Sequence, residues 1–325
     1  MMSHTIRITR SVAASASGLI MLVASHAAIA QHHPRTAWGD PDITGVYSEF
    51  TTAPLERDPQ YGDREFFTPE EHEQASKLRI SQAYADDDTV PGTQGDVHYS
   101  MEQYGLSENE GVTSLNLRTS IVTEPKNGRI PPLNAQGAAR RDALAAARKG
   151  HEMDGPESRN LQERCVIWPM TIAPILPRGY NGNLQIFQSP GYVVIQGEMG
   201  DARAIPTDGR AFPDILLPQW NGTSIGRWEG ETFVIETRGF HPETAWRGAT
   251  QNMRVTERLT RLNDDTLEYR FSVVDPDTWD QPWGGVYPLT RLDGLLYEYA
   301  CTEGNYGLTN ILAGARKGEQ DAAAK

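Results

Sequence analysis

Glu257 occupies an apolar position of an alternating strand, and that placement is the strongest chemical signal in the chain. Between Met253 and Val274, Met253, Val255 and Leu259 alternate with Arg254, Thr256, Arg258 and Thr260. Asn263, Asp264 and Asp265 then turn the chain back, so the pattern predicts a long two-stranded hairpin with one apolar face. A carboxylate in the apolar row must be paired, hydrogen-bonded or held neutral, because a bare buried charge is too costly to keep. Arg203 alternates with Ala202 and Ala204, Glu198 shares a face with Val194 and Gln196, Glu298 with Leu296 and Ala300, and Arg270 with Glu268 and Ser272. Carboxylates and guanidinium groups converging in an apolar shell place a general acid or base beside an anion-stabilising group. That arrangement suits cofactor-free proton transfer, elimination or hydrolysis. The same residues also read as a buried ion pair tying strands together.

Glu257, Arg203, Glu198 and His98 form the expected catalytic set, His98 lying in a long polar stretch from Pro91 to Asn116 where irregular chain is more often functional than neutral. Tyr99, Trp228, Arg270, Trp283, Glu298, Tyr299 and His241 are the expected ligand-contacting residues. Five of the tryptophans, Trp220, Trp228, Trp246, Trp279 and Trp283, fall in one third of the chain, where rings beside acids suit sugar or aromatic ligands, or simply pack a core. His241 stands at the exit of a strand and could carry a proton near neutral pH. His151, Glu152 and Asp154 sit in a Gly/Pro loop without the spacing of metal ligands, so neither a metal nor another cofactor is expected. Serine-hydrolase elbows, phosphate-binding loops, dinucleotide fingerprints and paired-histidine zinc motifs are missing from the sequence.

The elements that must position these residues are mostly strands. High Gly and Pro counts, 30 and 21, accompany short alternating segments separated by turn residues, which predicts a mainly β chain of eight to ten strands in an antiparallel calycin- or lipocalin-like barrel, or a sandwich. A short strand is expected at Arg118–Thr123, and from Arg164 the segments become nearly continuous and include Leu184–Gln188, Tyr192–Glu198, Ala202–Pro206, Thr232–Arg238, Val286–Arg291 and Leu296–Cys301. An eight- to ten-stranded barrel is wide enough to enclose one small ligand. Residues 31–163 form an irregular, partly helical N-terminal region packed on the barrel domain, 164–316, which ends in a short helix, and 317–325 are a disordered tail. Thr68, Pro69 and Glu71 make a capping box that starts a helix reaching about Ala83, and an Ala- and Arg-rich helix spans Ala135 to Lys149 on the domain surface.

Residues 1–30 read as a secretory signal: Arg7 and Arg10 precede an apolar run that ends at Ala28-Ile29-Ala30. The mature protein is therefore expected in the periplasm or outside the cell, and no stretch is apolar for long enough to span a membrane. In that compartment the only two cysteines, Cys165 and Cys301, predict a disulfide. A formal net charge of −13 without a Lys/Arg cluster argues against a nucleic-acid partner, and the oligomeric state is not legible.

Several phrases carry a family resemblance. They are Arg118-Thr-Ser-Ile121 with Asn127-Gly-Arg-Ile-Pro-Pro132, Arg203-Ala-Ile-Pro-Thr-Asp-Gly-Arg210, Gly226-Arg-Trp-Glu-Gly-Glu-Thr-Phe-Val234 and Tyr297-Glu-Tyr-Ala-Cys-Thr-Glu-Gly-Asn-Tyr-Gly307. Through them the chain resembles a large, mostly uncharacterised group of secreted bacterial proteins over nearly all of its length beyond residue 30. The resemblance implies a shared fold and brings no established activity. Two positions depart from the group's pattern: Thr302 stands where a His follows the cysteine, and Val97-His98-Tyr99-Ser100-Met101 replaces a Tyr-Asn-x-x-Trp phrase. These readings together give a cofactor-free lyase, isomerase or hydrolase acting on a small apolar or aromatic molecule. A non-catalytic binder of hydrophobic molecules and a glycan-binding or glycan-active protein with a Trp-rich face are the alternatives.

Overall fold

In the computed structural model, which describes residues 34–83, 114–168, 170–177, 182–200 and 202–324, ten strands form one antiparallel sheet. The strands are β1 (Gly45–Ser48), β2 (Val122–Glu124), β3 (Asn183–Ser189), β4 (Tyr192–Gly197), β5 (Ala202–Pro206), β6 (Thr223–Glu229), β7 (Thr232–Arg238), β8 (Arg254–Arg261), β9 (Thr266–Val274) and β10 (Trp283–Leu292). Their order is β5-β4-β3-β1-β10-β9-β8-β7-β6, with β2 paired to the first part of β10. The predicted hairpin is β8–β9, and its register sets Glu257 opposite Phe271 and Ile235 on the buried face. Two strands, β1 and β2, come from residues 31–163, so that region is woven into the sheet and does not merely pack on it. The residues expected as a signal, 1–30, lie outside the described residues, as do His98 and Tyr99.

The sheet curls but is not closed into a barrel: among the described residues no ladder joins the edge strands β5 and β6. The curl is nevertheless tight. Arg203 on β5 contacts Glu257 on β8, although six strand spacings separate those strands in the sheet order and would hold them about 28 Å apart were the sheet flat. At the seam Ile205 of β5 lies against Gly226 of β6, where an added Cβ would come within 2.9 Å of Ile205 and 2.5 Å of Phe233. Side chains fill the seam in place of backbone bonds, and β5 ends at Pro206, which has no N–H to offer a ladder.

The hollow inside the curl is occupied by the chain itself. Met170, Thr171, Ile172, Ala173 and Ile175 are all buried, and Met170 packs where a Cβ on Gly197 of β4 would stand, 2.8 Å away. The backbone of this segment finds its partners on inward-facing tyrosines: Ile175 N–H donates to Tyr269 Oη at 2.8 Å, and Tyr287 Oη donates to the Ile175 carbonyl at 3.2 Å. Buried backbone polar groups must be satisfied in this way. Around the segment, Leu184, Ile186, Ile195, Phe233, Ile235 and Leu259 complete the core.

Three expectations are corrected outside the central strands. Leu296–Cys301 is not a strand: β10 already has β9 on one side and β1 and β2 on the other, so a returning strand would have no backbone to pair with. The tail is not disordered through 317–323, because the last helix, α3, runs from Tyr306 to Ala323. Its extension is rich in good helix formers and carries the Lys317–Asp321 and Arg316–Glu319 pairs one turn apart. The strand expected at Arg118–Thr123 shifts to Val122–Glu124. The helix α1, Pro69–Ala83, starts with the predicted box, Thr68 N–H donating to Glu71 Oε2 and Glu71 N–H to Thr68 Oγ1. The helix α2 spans Ala135–Arg148, and the two cysteines form the disulfide. No helix among the described residues is long and apolar enough to cross a membrane.

Candidate functional site

Of the expected catalytic residues, Arg203 and Glu257 come together. The guanidinium grips the carboxylate through two bonds, Nη1 to Oε2 at 2.6 Å and Nη2 to Oε1 at 2.8 Å, with side-chain exposures of 3% and 0%. Tyr269 Oη donates a third bond to Glu257 Oε1 at 2.8 Å, and Thr237 Oγ1 sits 3.4 Å from Arg203 Nη1. Burial opposes the Arg203 charge, but the adjacent carboxylate outweighs it, so the guanidinium pKa is raised. Burial first, and the Glu257 charge second, lift the Tyr269 hydroxyl well above its ordinary value, so it keeps its proton and stays a donor. Glu257 thus receives three of the roughly four hydrogen bonds that a carboxylate can accept, in a hollow already filled by residues 170–175. This network ties β5, β7, β8 and β9 across the curl. It leaves Glu257 without an approach for a substrate.

The other expected residues do not converge on this pair. Glu198 follows β4 on the opposite face, half-buried, and accepts a bond from Asn183 Nδ2 at 2.8 Å. Burial pushes its carboxyl above the usual range, with the Asn183 bonds opposing. A carboxyl whose folded value is raised contributes stability that is complete below the unfolded value and is lost as pH rises through the folded one. Glu198→Gln, which keeps an acceptor for Asn183, is therefore expected to raise the melting temperature by about 1–3 °C at pH 7 and to make no difference near pH 4. Thermal unfolding at the two pH values tests this, and an equal effect at both would exclude the ionised carboxyl as its source.

Arg270 lies on the outer face and pairs with Glu268 at 3.2 Å, Glu298 is exposed, and His241 stacks on Trp220 with ring centroids 4.0 Å apart. Trp228 packs on Phe233. Trp283 is fully buried, against Trp246, Phe271 and Trp279. Tyr299 meets Trp168 edge to face beside the disulfide, lining a cleft of about 450 Å³ with Glu163 and Glu303. The polar groups there hold one another: Glu163 takes Arg159 and Asn160, and Asn305 Nδ2 donates to the Glu163 carbonyl. Among the described residues no three His, Cys, Asp or Glu side chains gather as metal ligands.

A second cleft, of about 600 Å³, opens between α2 and the segment that leads into it. Ile130, Pro131, Pro132 and Leu133 form one wall, Leu144 and Ala145 the other, and Trp279 the base. The base is firmly built. Leu133 bridges to Trp279, Asn134 caps α2 by accepting from Gly137 N–H, and Arg140 reaches across to the Gly248 carbonyl and Thr278 Oγ1. Asp275, itself buried, holds the adjoining loop by accepting from Thr250 and Thr278. Trp279 continues into the Trp246–Trp283 cluster, so the cleft floor is an edge of the core.

Arg141 and Arg148 are the charged residues of the lining, and no Asp or Glu belongs to it. Arg141 is shared with its neighbour Asp142, whereas Arg148 has no ion-pair partner among the described residues. The surface position of α2 is expected from its composition, but these residues do not stand out in the sequence, although Arg141, Leu144, Ala145 and Arg148 follow the i, i+3, i+4, i+7 spacing of one helix face. Tyr269 and Thr237 are also missing from the expected site; the available signal for Tyr269 is its place in the same buried row as Leu267, Phe271 and Val273. No family model matches the chain, and no curated protein or solved structure matches it either.

Proposed function

We propose that this is an exported binding protein for a small apolar or aromatic molecule, seated in the cleft between residues 130–133 and α2. The observation that carries the reading is an open cleft of about 600 Å³ with apolar walls and a tryptophan base, within the range of small-molecule sites, beside a sheet whose own hollow is filled. Export is part of the reading because the Cys165–Cys301 bridge suits an oxidising compartment, and because the first thirty residues have the pattern of a secretory signal. Membership of the secreted bacterial group that its motifs resemble fits the same picture. Acid–base chemistry at Glu257 is not the reading we adopt, since a substrate would have to displace both Arg203 bonds and enter a filled interior. Nor do the tryptophans favour a glycan surface: Trp246, Trp279 and Trp283 pack on one another.

Titration with the neutral fluorescent probe N-phenyl-1-naphthylamine tests the cleft. Saturable binding at micromolar concentration is expected for the wild type, and Leu144→Asp should weaken it by about tenfold or more, since the charge would stand on an apolar wall. Leu144 is 52% exposed, so the variant should fold normally. Linear, unsaturable uptake, or equal affinity in the variant, would refute this assignment.

A further inference from the structure

We propose that the ligand of this cleft is an anionic amphiphile: an apolar body lies along Ile130, Leu133 and Leu144 over Trp279, and a carboxylate head is held by Arg148. The inference rests on the binding reading above and specifies its ligand class. Its basis is the local charge. The chain has a formal net charge of −13, yet the lining of this cleft carries two arginines and no carboxylate. The cleft is thus a basic, apolar pocket on an acidic protein. An anion that enters it leaves the repulsion of the general surface, and its oxygens meet guanidinium groups at the mouth.

The two arginines are not equivalent. They lie seven residues apart on one face of α2, about 10 Å along the helix axis, with Leu144 and Ala145 between them. Arg141 already donates Nε and Nη2 to Asp142 Oδ1, at 2.9 and 2.7 Å. Arg148, in the last turn of the helix, makes no side-chain hydrogen bond or ion pair among the described residues, which leaves its guanidinium to face a ligand. A planar guanidinium matches a carboxylate through two parallel bonds, which a single hydroxyl or an amine cannot reproduce. An alkylammonium would meet two positive charges and no partner. A neutral alcohol would gain the apolar wall alone.

Isothermal titration of the mature protein with octanoate, 1-octanol and octylamine in low-salt buffer decides the matter. Octanoate is expected to bind at least about tenfold more tightly than octanol, with octylamine the weakest. Raising the salt to about 0.5 M should narrow the gap between octanoate and octanol, because the mouth is open to solvent. Arg148→Gln, a change at an exposed position, should bring octanoate to within about twofold of octanol. Equal binding of octanoate and octanol by the wild type, or an Arg148→Gln protein that still prefers octanoate, would overturn the headgroup assignment and leave apolar binding intact. If none of the three binds, both the assignment and the binding reading fall.

Discussion

Arg203→Met is expected to destabilise the protein by about 3–5 kcal/mol, among the largest effects that any single substitution in this chain should produce. Methionine fills most of the arginine's volume, so the loss is electrostatic. Glu257 would stay enclosed with the Tyr269 hydroxyl as its remaining side-chain donor, and an enclosed carboxylate that has lost its counter-ion is among the costliest groups a core can hold. Glu257→Leu should be comparably harmful, because it strands the guanidinium. The double variant Arg203→Met/Glu257→Leu should recover most of the loss and end within about 2 kcal/mol of wild type, the remainder being the Tyr269 hydroxyl deprived of its acceptor. Urea unfolding of the four proteins completes the cycle. Additive losses, or an Arg203→Met cost below about 1 kcal/mol, would show that the pair does not tie the curl together.

Much of the sheet is legible in the residue pattern. The alternation Met253, Val255, Glu257, Leu259 sets the inward face of β8, and the match of Ala202–Pro206 and Thr232–Arg238 to β5 and β7 follows from turn residues that bracket period-two runs. What escapes is non-local. Leu296, Glu298 and Ala300 alternate as well as many true strands, yet whether they pair depends on the flanks of β10, and those are taken by β1, β2 and β9. Barrel closure escapes for the same reason. Ten strands can close, but whether β5 and β6 exchange bonds is decided at a seam where Ile205 and Phe233 crowd Gly226.

The candidate site divides along the same line. A carboxylate in an apolar row announces that Glu257 needs a partner, and Arg203, alternating with alanines, is the partner it finds. Whether such a pair faces a ligand or a packed interior is settled by Met170–Ile175, a stretch with no period of its own that fills the hollow and borrows the hydroxyls of Tyr269 and Tyr287. The cleft beside α2 leaves a fainter trace. A helix of alanines and arginines has a single large apolar residue, Leu144, with an arginine three residues before it and another four after. That spacing marks a face, but its partner wall and its floor arrive through Asn134, Arg140 and Asp275, which only the fold brings together.

Cys165→Ser/Cys301→Ser is expected to release the C-terminal part of the chain, leaving the sheet in place. The bridge spans 136 residues, and the chain-entropy model assigns a loop of that length about 5 kcal/mol if both ends remain fixed in the native state. One end is not fixed by much else. Among the described residues the chain beyond Leu292 enters no strand, α3 buries none of its residues, and the hydrogen bonds that tie this segment to the body include those from Arg316 to the Met153 and Asp154 carbonyls and from Asn305 to the Glu163 carbonyl and Cys165 Sγ. Without the bridge the native state itself regains freedom in this segment, so the entropy lost by the unfolded chain is partly matched and global stability should fall by only about 2 kcal/mol. The larger effect is local: amide protection across Tyr306–Ala323 should drop by about a hundredfold or more, while that of β7, β8 and β9 follows the global change. Hydrogen exchange read by mass spectrometry distinguishes these. Unchanged protection in α3 would mean that packing, and not the disulfide, holds the helix. A full loss of about 5 kcal/mol in the sheet would mean that the C-terminal segment is an integral part of the core.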